Sequence, residues 1–165
     1  MKTAQENVVV VERWMNALPE RVYTALTKAS EIERWFFTEA ETDARAGGSY
    51  RITWRSATDP KRDHERLGRY LELIPGRKVV FEWSGKGCDG LNNVSDTVVS
   101  ITLTPERGGT LLRLEHSGWA ESEDGRKSRD GHDKGWTFYL QNLAAWLAGE
   151  PDQRAASLGQ RVKTV

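Results

Sequence analysis

Asp133-Lys134-Gly135-Trp136-Thr137-Phe138-Tyr139-Leu140-Gln141-Asn142-Leu143-Ala144-Ala145-Trp146-Leu147 is the stretch that decides the fold. Trp136, Leu140, Leu143 and Leu147 recur at i, i+4, i+7 and i+11, flanked by Tyr139 and Trp146. That is the period of a helix with one apolar stripe. Gly149 and then Pro151 end it. A helix of this kind must lay its stripe on another apolar face, and the sequence before it supplies one.

Upstream the period is two. Tyr50, Ile52 and Trp54 alternate with Arg51, Thr53 and Arg55 after a Gly47-Gly48 turn. Gly68 to Ile74 and Lys78 to Trp83 read as strands joined by Pro75-Gly76. Thr97, Val99, Ile101 and Leu103 alternate with Val98, Ser100 and Thr102, and Thr110 to His116 pairs back across Pro105 to Gly109. In that last strand Leu112, Leu114 and His116 share one face. Clean alternation means an antiparallel sheet with one dry face. Val8 to Val11 reads as an opening strand. Pro19 at a first helical position and Ser30 with Glu33 as a capping box then predict two short helices, the second ending at Trp35-Phe36-Phe37. Three polar loops remain: Ser56 to Arg66, Ser84 to Asp96, and Ser117 to Gly131. The third sits where a lid would.

The chain has 165 residues, which predicts one domain over 1–165, with a core at about 7–148 and an unassigned tail at 149–165. Lys plus Arg and Asp plus Glu both number 24, which argues against a nucleic-acid partner. No apolar run is long enough for membrane insertion, and Cys88 is the only cysteine, so a cytoplasmic protein is expected.

The segment Ala17-Leu18-Pro19-Glu20-Arg21-Val22-Tyr23-Thr24-Ala25-Leu26-Thr27 resembles the first helix of the START-like, or SRPBCC, superfamily. Gly68 to Arg77 with Val80-Phe81-Glu82-Trp83 is similar to its central hairpin. Leu114-Glu115-His116-Ser117-Gly118-Trp119, with Gly135-Trp136 and Tyr139-Leu140, is similar to the end of its sheet and the start of its last helix. The order of these motifs resembles the branch named for the C-terminal domain of the heat-shock protein 90 ATPase activator. The resemblance implies an α+β helix-grip fold, a curved antiparallel sheet of six or seven strands around the long C-terminal helix. It also implies a cavity between them for a hydrophobic small molecule. The activator proper engages its chaperone through a further N-terminal domain with an Asn- and Trp-rich motif, for which this chain is expected to have no room. Asn92-Asn93, followed by Val94, does not match that motif.

The expected wall is Tyr50, Ile52, Trp54, Phe81, Trp83, Val99, Ile101, Leu112 and Leu114, facing Trp136, Leu140 and Leu143. The same residues would serve equally as core filling. His116 reads either as a satisfied buried histidine or as a polar anchor or general base at the cavity mouth, for cyclase- or isomerase-like chemistry. Glu82 would be a perturbed carboxylate if it pointed inward. His64, His116 and His132 share no ligand spacing, so no metal is expected. Gly85 to Gly90, around Cys88, lacks the frame of a phosphate loop, and no cofactor is expected. The expected partner is a hydrophobic or amphipathic small molecule, with a homodimer and a chaperone contact as alternatives.

Overall fold

The computed structural model describes residues 7–87 and 93–163, so Cys88 and its reading lie outside the described residues. In chain order the elements are β1 (Val9–Met15), α1 (Pro19–Thr27), α2 (Ala29–Trp35), β2 (Glu39–Thr42), β3 (Ser49–Trp54), β4 (His64–Ile74), β5 (Lys78–Gly85), β6 (Val94–Glu106), β7 (Gly109–Ser117), α3 (Glu123–Leu147) and α4 (Arg154–Leu158). The seven strands form one sheet in the order β1-β7-β6-β5-β4-β3-β2, every pair antiparallel. This is the helix-grip architecture: α3 packs on β1 and α2 across the dry face.

The alternation places the faces correctly. Val99 pairs with His116, Ile101 with Leu114 and Leu103 with Leu112, all six buried on one face. Register shifts after Tyr70 and opposite Trp83 mark β4 and β6 with bulges, which bend a sheet and increase its twist. The Pro75-Gly76 turn closes through Arg77 N–H to Ile74 O, with Gly76 at φ +73°. That conformation favours glycine.

Four elements differ from expectation. The last helix does not begin at Asp133 but at Glu123, so Ser117 to Gly131 is mostly helix rather than a loop or lid. Ser122 caps it, its hydroxyl accepting from Gly125 N–H at 3.0 Å, and Glu123 and Asp124 suit the positive end of the helix dipole. A Cβ on Gly125 would lie 2.0 Å from Ala120 O, so only glycine lets the chain turn this tightly into the helix. The Ser30–Glu33 capping box does not form. Lys28 is the N-cap, Ser30 already lies inside α2, and Glu33 instead accepts from Ala40 N–H and Lys163. β4 starts at His64 rather than Gly68.

The fourth element is the tail, which is anchored. Arg154, 1% exposed, forks onto Asp152 through Nε and Nη2 and donates to the carbonyls of Glu33, Arg34 and Phe36 at 3.0 Å each. All five of its donors are thereby used. The carbonyls it meets lie at the C-terminal end of α2, where helical acceptors otherwise go unmatched. Gln160 donates to Phe36 O and accepts from the Tyr139 hydroxyl.

Candidate functional site

Between β3, β4, β5 and α3 lies an open cavity of about 810 Å³. Its apolar wall includes Phe36, Phe37, Trp54, Trp83, Trp136 and Tyr139, and its polar lining includes Arg62, His64, Arg66, Lys127 and His132. Phe36 joins the wall: its ring lies 4.9 Å from Trp35, 5.3 Å from Trp136, 4.8 Å from Tyr139 and 6.0 Å from Trp83. The bend after α2 puts it there, since its N–H caps Ile32 O and its carbonyl is held by Arg154 and Gln160.

The expected wall therefore divides. Trp54, Trp83 and Trp136 line the cavity. Tyr50, Ile52, Phe81 and Ile101 border a separate void of about 30 Å³, one water molecule's share of liquid volume. Val99, Leu112, Leu114, Leu140 and Leu143 are fully packed core. Glu82 sits on the face opposite Trp83, half-buried, its Oε1 accepting from Arg69 N–H.

Two histidines meet beneath the tryptophans, ring centres 5.3 Å apart, although sixteen residues separate them. Trp136 Nε1–H donates to His116 Nδ1 at 3.0 Å. An indole nitrogen can only donate, so the His116 proton sits on Nε2, which donates to Thr97 Oγ1 at 2.8 Å. Thr97 in turn donates to Trp83 O at 2.6 Å. Trp83 Nε1–H donates to His132 Nε2 at 3.1 Å, and His132 Nδ1–H to Ser128 O at 2.8 Å. Both imidazoles are thus fixed neutral, in opposite tautomers. Burial, then the neighbouring His132 and Arg66, push the His116 pKa down to about 2. Burial, against the hydrogen bond to Ser128 and with Arg66 and His64 nearby, brings His132 to about 4. This geometry leaves His116 no lone pair with which to take a substrate proton. Among the described residues no group of three or more His, Cys, Asp or Glu could hold a metal ion.

Replacing Trp136 by Phe keeps most of the packing but strands His116 Nδ1. The expected loss is about 1–3 kcal/mol of stability in urea unfolding, below the ~3–5 kcal/mol of Trp136→Ala.

Arg66 is one of the lining residues that the expected wall lacked, with Phe36, Phe37 and Tyr139. It is 3% exposed and pairs with Ile52 on the inward face of β4. Counting back by two from Tyr70 through Gly68 would have placed it there.

A family profile described as activator of Hsp90 ATPase homolog 1-like protein matches residues 16–148. The chain is similar to protein CV1439 from Chromobacterium violaceum at 28% identity and TM-score 0.70, over 88% of this chain and 99% of that one. It is similar to CalU16 from Micromonospora echinospora at 26% identity and TM-score 0.65, over 86% and 76%. Its fold is also that of the Aha1 dimer from Colwellia psychrerythraea, at 21% identity and TM-score 0.66 over 85% and 95%. No curated protein matches. The START-like fold and the profile match across most of the chain lead to one conclusion: the protein belongs to the activator of Hsp90 ATPase homolog 1-like family.

Proposed function

We propose that the protein binds a hydrophobic or amphipathic small molecule in the 810 Å³ cavity, within the cytoplasm. The supporting observation is the lining itself, a continuous aromatic wall with a few fixed polar groups, as in small-molecule sites generally. Catalysis by His116 is the weaker reading, because both its ring nitrogens are engaged. A chaperone contact rests on the family description alone.

Native mass spectrometry of freshly purified protein, compared with the denatured mass, tests the proposal. An added mass that denaturation releases is the expected result. A clean apo mass that also stays unchanged on incubation with apolar compound mixtures overturns it. The same spectrum reads the oligomeric state, which bears on a dimer like that of the Colwellia Aha1.

A further inference from the structure

Two buried arginines in this chain are treated oppositely. Arg154 is 1% exposed and spends all five donors on Asp152 and three carbonyls. Arg66 is 3% exposed, yet its guanidinium makes one hydrogen bond among the described residues, Nη1 to Glu65 O at 2.9 Å. Among the described residues no carboxylate pairs with it, and its buried Nε has no partner. The Trp83 ring lies 5.9 Å from the guanidinium carbon. A buried cation without a counter-ion is costly, and folds normally pair it. Burial, partly offset by Tyr50, lowers the Arg66 pKa to about 10, so the group stays charged at neutral pH.

The donors of Arg66 left without a partner among the described residues, the buried Nε and Nη2, share one edge of the guanidinium, since Nη1 is taken by Glu65. Two parallel N–H groups on that edge match the two oxygens of a carboxylate. The surroundings agree in sign: Arg62 and Lys127 also line the cavity, against Asp124 as the one acidic lining residue. Aromatic rings supply the rest of the wall.

We infer that the ligand of this cavity is an amphipathic carboxylic acid, its carboxylate forked onto Arg66 at the inner wall and its apolar body against Trp54, Trp83 and Trp136. This rests on the binding reading above and specifies the ligand's chemical class.

The test is calorimetric titration of the whole chain at pH 7.5 with two acid and amide pairs, 2-naphthoate with 2-naphthamide and octanoate with octanamide. Within at least one pair the acid is expected to bind tenfold or more tighter than its amide. Arg66→Met should erase that preference and, in the absence of ligand, raise the melting temperature, because it removes an unpaired buried charge. Arg66→Lys, which keeps a charge without the fork, should retain only part of the preference. Should Arg66→Met fail to fold, the wild-type ratio and the Lys variant still decide. Equal affinity of acid and amide overturns the carboxylate inference and leaves cavity binding standing. An acid preference that survives in Arg66→Met also overturns it, by assigning the anion to another cation. No binding of either pair at millimolar concentration overturns this inference, while the native mass spectrum decides the binding reading separately.

Discussion

Below pH 6 the protein should lose stability steeply, by on the order of 5 kcal/mol at pH 4, a large share of a typical domain's 5–15 kcal/mol. The cause is the two neutral histidines under the aromatic wall. Unfolded, each would take a proton near its ordinary value of 6.5; folded, His116 resists to about 2 and His132 to about 4. Their folded pKa values are depressed, so the stabilisation is complete above 6.5 and drains away as pH falls below it. Each histidine contributes about 1.4 kcal/mol per pH unit within its window. The window of His132 closes near pH 4, while that of His116 runs on toward 2. Urea midpoints measured from pH 7.5 to 4 check this. The slope between pH 6 and 4.5 should correspond to about two extra protons bound by the unfolded chain. In His116→Gln it should correspond to one. A slope of one proton over that interval would mean that one of the two imidazoles is charged in the native protein, and a flat profile that both are.

The second large effect belongs to Arg154. Substitution by Ala should cost about 3–5 kcal/mol, since it leaves a carboxylate and the carbonyls of Glu33, Arg34 and Phe36 without their donor. Lys should recover only part of this, because a point charge cannot reproduce the planar fork. Asp152 should matter less, its side chain being 35% exposed. Burial alone would raise its carboxyl, but the hydrogen bonds and charge of Arg154, with Asn142, bring it below the ordinary carboxylate range. Guanidinium unfolding of the three single variants ranks them; equal losses for Arg154→Ala and Asp152→Ala would place the whole effect in the ion pair rather than in the carbonyls.

The sheet was legible because a half-buried strand writes its faces into alternating residues. Leu112, Leu114 and His116 announced themselves that way, as did Val99, Ile101 and Leu103. The grip helix was legible from Trp136 onward, where its stripe meets the core. Its first turns were not, since Glu123 to Asp130 is mostly solvent-exposed and carries no apolar stripe, and the Ser122-Glu123-Asp124 start was hidden among loop-like charges. The aromatic set pointed to the right molecule but not to the right half of it. Which tryptophan lines space and which fills it depends on the bulges in β4 after Tyr70 and in β6 opposite Trp83, and on the bend that swings Phe36 inward. Arg66 was passed over because a charge near a strand end reads as solvated. Arg154 and Gln160 were invisible because the carbonyls they hold lie 118 to 124 residues away.

That separation bears on how the chain is made. A ribosome adding about 5–20 residues per second releases Phe36 long before Arg154 and Gln160 exist. During this interval the carbonyls of Glu33, Arg34 and Phe36 lack the side chains that later hold them, and Phe36 gains Trp83, then Trp136 and Tyr139, only as each is made. The nascent protein therefore leaves its most aromatic corner unsealed until residues 152–161 clear the exit tunnel and lock the first helices to the last.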